Sequence, residues 1–360
     1  MVQSESAVFV ENARRHHAEA GSIPSPAADA ASVSLVVPCF NEERFIGKVL
    51  HNLKEQYPKE RYEIVIVDGM STDGTRAVIN DFVAGNPGVA VRVVDNPARN
   101  IPSALNLGIA AARGHVIVRM DAHSIPTSNY VRRCVEVLSD SEIAVVGMPW
   151  RIRPGVDTTT ARSIALAVAH PFGIGDAKYR MSDSLQAQLV DTVPFGAFRK
   201  TLWKDLGGFN ADLLTNEDYD FNYRVRLRGG KVLLDTAGYC NYFARPTFRD
   251  LAKQYYRYGS WKARMVKLHP RSIKLRHLVA PLFVASVLSL GALSLLTPLA
   301  LWLLFAVLAS YTLLSLFCAF SLARGNGEMK LIPAVVVAFL ILHLTWGGGF
   351  LLGLLRAPRR

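Results

Sequence analysis

Apolar and polar positions follow two alternating patterns along residues 33–245. Short apolar runs that end at proline, glycine or a polar turn predict buried strands. These runs are Ser34–Pro38, Glu63–Asp68, Val89–Asp95, Val116–Val118 and Ile143–Met148. Between them, apolar positions at helical spacing predict helices over Asn41–Tyr57, Asp73–Phe82, Ile101–Arg113 and Asn129–Leu138. Strands that alternate with helices are typical of an α/β domain with a mostly parallel sheet.

The alternation of strands and helices weakens after Ser124. The segment Arg151–Gln188 is less regular, and we expect it to form a pocket for an acceptor substrate. Val190–Leu206, Asp212–Arg228 and Val232–Asp235 complete the part that we expect to be soluble. Residues 1–32 are polar and rich in alanine, and they are expected to form a loose lead-in without a signal peptide.

The chain ends in three long apolar runs, Leu278–Leu296, Leu299–Leu322 and Leu331–Leu355. Each run is close to the ~20 residues that a helix needs to cross a bilayer. A buried core helix is the alternative for any single run, but three runs in succession favour membrane spans. The sequence therefore predicts a membrane protein with about three transmembrane helices in residues 278–356.

The formal net charge of +12 is concentrated just before the first apolar run. Asp250 is the only acidic residue between Arg245 and His277, a stretch with many Lys and Arg residues. A basic block beside an apolar run is typical of a cytoplasmic surface that faces anionic membrane lipids. We therefore expect residues 246–277 to form a basic amphipathic juxtamembrane segment at the inner membrane. Nucleic acid is the alternative partner, but no stretch resembles a groove-reading helix or an RNA-binding sheet.

The cysteines and the C-terminus bear on the cellular compartment. Cysteines 39, 134, 240 and 318 show no spacing typical of a metal site or a disulfide, so we expect a reduced, cytosolic catalytic portion.

Three spans that begin in the cytoplasm leave Arg356, Arg359 and Arg360 outside, against the positive-inside tendency. A re-entrant segment broken at residues 347–349 would keep these arginines inside, and both topologies remain open.

The polar residues after the run Val116–Val118 can bind a ligand. Asp121 and His123 lie two positions apart, so both point to the same side of an extended strand end. Open α/β sheets bind ligands at the carboxyl ends of their strands. An Asp and a His at such an end can hold a divalent metal, which in turn can hold a diphosphate. The alternative is a polar turn that follows a buried strand.

Asp68 ends the second predicted strand and opens a turn rich in Gly, Ser, Thr and Asp. A carboxylate at this position can accept a hydrogen bond from a nucleotide base or a ribose hydroxyl. The loop Pro38–Glu42 follows the first strand and can wrap the same nucleotide. A helix-capping turn is the alternative, and Asp73 satisfies that role better than Asp68.

In order along the chain, these motifs resemble those of the inverting family 2 glycosyltransferases with the GT-A fold. The family pattern appears here as Pro38–Glu42, Val67–Thr75, Asp121–His123, Gly196–Arg199 and Glu217–Asp218 with Arg224. The resemblance covers Val33–Trp261, and its wording is most similar to the glucosyltransferases of succinoglycan-type exopolysaccharide assembly. It implies a Rossmann-like mixed-sheet GT-A domain over residues 33–245. It also implies that the donor nucleotide is bound by Pro38, Asn41, Glu42, Asp68 and Asp121.

Two positions depart from the family pattern. His123 replaces the second Asp of the Asp-x-Asp motif, and an imidazole suits Mn²⁺ better than Mg²⁺. If His123 does not bind the metal, Asp121 and the diphosphate hold it alone. Gly69 stands where many members have an Asp, so base recognition would depend on Asp68.

The resemblance assigns the catalytic base to Asp218. Inverting transfer needs a base that takes the proton of the acceptor hydroxyl as that hydroxyl attacks the sugar. Glu217 would then position either Asp218 or the acceptor. The alternative is a helix N-terminus rich in acids, which the helix dipole favours by itself.

The stretch Gln254–Trp261 resembles the Gln-x-x-Arg-Trp motif of membrane-bound processive members, with Tyr258 in place of the Trp. The resemblance implies that Gln254, Arg257, Tyr258 and Trp261 hold the acceptor and the leaving diphosphate. An arginine can bind a phosphate through two parallel hydrogen bonds, and an aromatic ring can stack on a sugar. The alternative is an amphipathic interfacial helix. The Trp-to-Tyr change argues against processive synthesis.

The sequence thus predicts a membrane-bound hexosyltransferase that uses Mn²⁺ or Mg²⁺. We expect it to move a hexose, glucose by resemblance, from a UDP-sugar to a lipid-linked saccharide in exopolysaccharide or cell-envelope glycan synthesis. Two alternatives remain open. One is a polyprenyl-phosphate sugar transferase, and the other is a catalytically inactive membrane scaffold.

Overall fold

The computed structural model of the chain describes residues 32–58, 61–181 and 186–356. Most of the predicted lead-in over residues 1–32, together with Arg359 and Arg360, lies outside this described part. The chain divides into two compact units. The first comprises residues 1–150, 182–212 and 217–240, and the second comprises residues 151–181, 213–216 and 241–360.

The strands of the chain are short and mostly buried. They are β1 (Val33–Cys39), β2 (Tyr62–Asp68), β3 (Val91–Asp95), β4 (Val116–Arg119), β5 (Ile125–Pro126), β6 (Ile143–Gly147), β7 (Trp150–Pro154), β8 (Gln188–Leu189), β9 (Ala197–Arg199), β10 (Lys231–Leu234) and β11 (Cys240–Ala244). The helices of eight or more residues in the first unit are α1 (Ile46–Leu53), α2 (Thr75–Gly85), α3 (Ile101–Ala111), α4 (Tyr130–Leu138) and, further along the chain, Glu217–Leu227.

The first unit is built on an eight-stranded sheet in the order β3-β2-β1-β4-β9-β6-β10-β8. Strands β1, β2, β3 and β4 pair in parallel, as do β6 and β10. Strand β9 lies antiparallel between β4 and β6, and β8 is antiparallel to β10. The predicted α/β domain with a mixed sheet is therefore confirmed. The sequence did not indicate the short antiparallel strand β9.

The carboxyl ends of β1 and β2 meet at one edge of the sheet, because Cys39 is in register with Asp68. Both strands are almost entirely buried, as expected for parallel strands covered on both faces. Helix α3 covers one face at close range. A Cβ on Gly108 would lie only 2.6 Å from the side chains of Val36 and Val67, so a glycine is needed for this approach.

Helix α1 is shorter than the predicted helix Asn41–Tyr57, and this part of the prediction was wrong. The helix begins at Ile46. Asn41 instead takes a φ of 55°, in the left-handed region that interrupts a right-handed helix. Its side-chain oxygen accepts a hydrogen bond from the backbone N–H of Thr72, so residues 41–45 are held by the turn after β2.

The second unit contains three helices that are long and apolar enough to cross a membrane. The stretches that meet this criterion are Leu275–Leu293, Pro298–Gly325 and Met329–Leu355. The helices of the rest of the chain, in order, are α5 (Thr159–Ala167), α6 (Pro171–Ile174), α7 (Lys200–Leu206), α8 (Glu217–Leu227), α9 (Phe248–Leu268), α10 (Val279–Leu293), α11 (Pro298–Gly325) and α12 (Ile332–Leu355). The three predicted apolar helices are thus present, with ends shifted by a few residues.

Helix α12 runs without a break, so the re-entrant break considered at residues 347–349 is not found. The glycines serve packing instead. A Cβ on Gly349 would lie 2.4 Å from the carbonyl oxygen of Tyr256 in α9, and one on Gly347 would lie 2.5 Å from that of Ala280 in α10. Ser260 of α9 also donates to the Gly349 carbonyl at 3.1 Å. These glycines let α9 and α10 approach the backbone of α12.

Residues 151–181 belong to the second unit, whereas the sequence analysis grouped them with the domain 33–245. The reason is apolar packing. Ile164 and Val168 of this segment share a buried cluster with Val335, Phe339 and Leu342 of α12. The segment therefore buries its apolar residues against a membrane-type helix.

Candidate functional site

Two loops at the carboxyl edge of the sheet are joined by hydrogen bonds. They follow β1 and β2. The Asn41 side chain accepts from the Thr72 N–H at 2.8 Å, and the Glu42 N–H donates to the Thr75 hydroxyl at 2.8 Å. Pro38 precedes this loop within β1, beyond the last residue that pairs with β4. The loop predicted to wrap a nucleotide is thus held in one conformation by the neighbouring turn.

Asp68 is completely buried at the end of β2. Its carboxylate accepts from the Ser71 hydroxyl at 2.5 Å and pairs with the Arg76 guanidinium at 2.6 Å. Arg76 also pairs with Asp95 at the end of the neighbouring strand β3. Asp68 therefore anchors the turn and orients Arg76. Asp73 accepts from the Thr75 N–H and hydroxyl. The N-cap of α2 is Gly74, without a side-chain cap, so the capping role predicted for Asp73 is not found.

Glu42 and His123 form a pair that the motifs did not predict. His123 Nδ1 lies 2.9 Å from Glu42 Oε1, and both side chains are partly exposed. A histidine that binds a metal usually donates its other ring N–H to a carboxylate, which fixes the ring and its tautomer. With Nδ1 as the donor, the lone pair of the neutral imidazole is on Nε2. The contact with Glu42 thus orients the His123 ring.

The residues present fit a divalent metal that is held largely by substrate. Within the part of the chain that the structure describes, no three His, Cys, Asp or Glu side chains are grouped as a metal site. Metals in phosphate-transfer sites are commonly bound by one or two carboxylates together with substrate phosphates. Asp121, which is partly exposed, and His123, which Glu42 orients, match that requirement.

Arg119 is a residue of this region that the sequence analysis missed. It ends β4 and is 6 % exposed. Its Nη2 lies 2.9 Å from Glu217 Oε1 and 3.4 Å from Asp121 Oδ1. The signal available in the sequence was a single arginine within the apolar run Val116–Met120. One guanidinium therefore joins the Asp-x-His motif to the Glu-Asp motif.

The three acidic residues at the start of α8 occupy different environments. Burial raises the pKa of the Glu217 carboxyl to about 7, and the Arg119 charge opposes that rise. Asp220 is fully buried and pairs with Arg224 at 2.8 Å. Asp218 is partly exposed, and its carboxylate accepts from the Tyr219 N–H at 2.7 Å. Of the three, Asp218 is the carboxylate that a substrate can reach.

In the second unit, the predicted acceptor residues lie on α9. Gln254 donates to the hydroxyls of Tyr258 and Tyr242, and Trp261 lies against the Arg264 guanidinium at 5.3 Å. Arg257 is exposed, and its guanidinium is bonded to protein. Its Nε donates to the Thr215 hydroxyl at 2.8 Å and its Nη2 to the Leu214 carbonyl at 3.0 Å. Arg257 thus braces the segment that leads into α8.

Comparison with known proteins agrees with this arrangement of motifs. Residues 34–206 match the family model described as glycosyl transferase family 2. The chain is 26 % identical over 339 residues to the succinoglycan biosynthesis protein ExoA of Rhizobium meliloti, which covers 92 % of this chain and 97 % of that protein. It is 27 % identical over 240 residues to a dolichyl N-acetyl-α-D-glucosaminyl phosphate 3-β-D-2,3-diacetamido-2,3-dideoxy-β-D-glucuronosyltransferase of Methanococcus voltae, which covers 65 % of this chain and 74 % of that enzyme.

A solved structure shares the fold along nearly the whole chain. It is the mannosyltransferase PcManGT of Pyrobaculum calidifontis, described in complex with GDP-Man and Mn²⁺. The TM-score is 0.59 at 21 % sequence identity, with 93 % of this chain and 94 % of that chain covered. The two proteins therefore share an overall fold.

Proposed function

The chain contains a family 2 glycosyltransferase domain with the GT-A fold, and from that premise we propose a membrane-bound inverting hexosyltransferase. It moves a hexose, glucose in the first instance, from a UDP-sugar to a lipid-linked saccharide in exopolysaccharide or cell-envelope glycan synthesis. The observation that carries the proposal is the cluster in the first unit. There Arg119 joins Asp121, on the donor side, to Glu217, which directly precedes the accessible Asp218.

The donor is held at the carboxyl edge of the sheet. Asp121 and His123 would hold the divalent metal, Mn²⁺ or Mg²⁺, and Glu42 orients His123. A metal held there would supply positive charge to neutralise the diphosphate. Pro38, Asn41 and Glu42 line the nucleotide. Asp68 contributes by holding the turn and Arg76, since its own carboxylate is buried.

Asp218 takes the proton of the acceptor hydroxyl as that oxygen attacks the anomeric carbon. Attack from the face opposite the leaving diphosphate inverts the configuration. Glu217 keeps the start of α8 in place through Arg119. By resemblance, Gln254, Arg257, Tyr258 and Trp261 would hold the acceptor and the leaving diphosphate. In the structure, Arg257 is bonded to the segment before α8.

The membrane part of the proposal is supported by composition. Three helices are long and apolar enough to span a bilayer. Exposed Arg and Lys residues on α9 suit the anionic headgroups of the cytoplasmic leaflet, and this supports the proposal of a cytoplasmic catalytic domain. A lipid-linked acceptor also agrees with the name of the Methanococcus voltae relative, a transferase that acts on a dolichyl-linked sugar phosphate. The name of the Rhizobium meliloti relative agrees with a role in exopolysaccharide synthesis.

Product analysis tests this function directly. Membranes that contain the chain are supplied with radiolabelled UDP-glucose, UDP-galactose or GDP-mannose, and the organic-soluble products are analysed. We expect label from a UDP-hexose in a lipid-linked oligosaccharide, with an inverted anomeric configuration. Label recovered only as a polyprenyl-phosphate monosaccharide would identify the first alternative function. Nucleotide binding without any labelled product would identify an inactive scaffold.

A further inference from the structure

Arg119 makes an unusual set of contacts for a buried arginine. All of its ion pairs come from one terminal nitrogen, Nη2, which faces Glu217 and Asp121. Its Nε and Nη1 are buried and have no hydrogen-bond partner among the described residues. The Phe195 ring also lies near the guanidinium, with its centroid 6.0 Å from the guanidinium carbon.

This arrangement is poor for stability. Buried donors without partners reduce the free energy of unfolding, and a buried ion pair is often replaced by apolar residues without loss of stability. An arginine kept under these conditions needs a reason other than folding, and such exceptions concentrate at functional sites.

The reason lies in the two carboxylates that Arg119 joins. Asp121 follows it by two residues at the end of β4, and Glu217 begins α8. The first belongs to the donor motif and the second directly precedes the base. We propose that Arg119 is a positioning residue that fixes Asp121 and Glu217 relative to each other, so that one buried cation sets both the metal-diphosphate position and the start of the base-bearing helix. This inference rests on the proposed function.

Two observations show how Arg119 connects strand β4 to helix α8. Strand β4 lies in the middle of the sheet between β1 and β9, so Arg119 starts from a backbone that cannot shift easily. The 2.9 Å contact with Glu217 then connects that fixed strand to the first turn of α8. Loss of the guanidinium would leave Glu217 without its counter-charge and free both carboxylates to adopt other rotamers.

The test compares Arg119→Met with Arg133→Met in the full-length, detergent-solubilised protein. Arg133 forms a matched pair with the buried Asp235 at 2.6 Å in the same unit. Calorimetry measures binding of UDP with Mn²⁺, and a lipid-linked acceptor assay measures kcat. For Arg119→Met we expect UDP–Mn²⁺ binding and kcat each to fall about 10- to 100-fold, as for other residues that orient metal ligands. Arg133→Met should leave both unchanged for the folded protein.

The pH profile separates positioning from a general structural effect. Arg119 opposes the rise in the pKa of Glu217, whereas burial, Asp218 and Asp121 promote it. Protonation of Glu217 removes its ion pair with Arg119, so wild-type kcat should fall as the pH drops through about 7. Arg119→Met should lack this limb, and Arg119→Lys should keep it in part because it keeps the charge.

Three outcomes decide the matter. Wild-type UDP–Mn²⁺ affinity and kcat in Arg119→Met would overturn the positioning role. The positioning role would also be overturned if affinity and kcat fell equally in Arg133→Met and only in proportion to the drop in melting temperature. If Arg119→Met does not fold, Arg119→Lys gives the same comparison. A wild-type protein that binds UDP–Mn²⁺ but transfers no sugar contradicts the proposed function instead, and UDP binding then still tests Arg119.

Discussion

Glu42 offers a sharp test of the metal site because its carboxylate touches the predicted ligand His123. Glu42→Gln keeps the size and one acceptor oxygen but removes the charge that pairs with the imidazole N–H. Loss of a partner that orients a metal ligand typically weakens metal affinity about 10- to 100-fold. The 2.9 Å contact is partly exposed, with 34 % of the His123 side chain and 21 % of the Glu42 side chain accessible. Solvent competition therefore favours the lower figure, about tenfold or 1.4 kcal/mol.

The assay is a titration of sugar transfer with Mn²⁺, supported by electron paramagnetic resonance of free Mn²⁺ in the presence of UDP. Glu43→Gln is the matched control, because Glu43 lies next in the chain but accepts from the Gly74 N–H at 3.1 Å. We expect the Mn²⁺ requirement to rise in Glu42→Gln, to rise further in His123→Ala, and to stay at the wild-type level in the control. An unchanged requirement in both Glu42→Gln and His123→Ala would remove His123 from the metal site.

Two further predictions concern the second unit. Arg257→Lys should lower activity while membrane association persists, because a lysine keeps the charge but cannot donate to two groups at once as a guanidinium does. Lys253→Gln, at an exposed position of α9, is the control and should leave activity unchanged. Activity and flotation with vesicles measure both, and a fully active Arg257→Lys would leave only the interfacial role. Gly349→Ala should destabilise the detergent-solubilised protein by about 1–3 kcal/mol because its Cβ meets the Tyr256 carbonyl, whereas Gly348→Ala points into open space. Equal melting temperatures for the two variants would refute the α9–α12 packing.

Buried strands and apolar helices could be predicted because their signals are local. An unbroken apolar run needs only its own residues to specify a buried strand, so Val33–Cys39 and Tyr62–Asp68 appear within a few residues of prediction. The same holds for the three apolar C-terminal helices. The order of the motifs along the chain then identified Asp121, His123 and Asp218 as candidate site residues.

Features that depend on distant partners could not be predicted. Asn41 leaves the helical pattern because Thr72 binds it, and the short strand β9 exists only because β4 and β6 pair on both sides of it. In the sequence, Arg119 is only one polar residue within a buried strand. Its role depends on the ion pair with Glu217, which begins helix α8 and is distant in sequence. The pattern of residues 151–181 likewise gave no sign that they pack against α12.

The assignment of the base also gained from physical detail that no motif carries. All three acids of the α8 N-terminus looked equally able to serve by spacing. Asp220 is now engaged with Arg224 in a buried pair, and Glu217 is engaged with Arg119. Unlike that of Asp218, the carboxylate of Asp220 is inaccessible.

The most direct test of the account is the turnover of Asp218→Asn. The change is nearly isosteric, so the fold and UDP-sugar affinity should survive. Loss of a general base costs typically ~10²–10⁴-fold in rate, and the whole loss should appear in kcat. Asp212→Asn, an exposed change in the loop before α8, is the control and should retain wild-type turnover. An Asp218→Asn variant that transfers sugar at the wild-type rate would contradict the proposed mechanism.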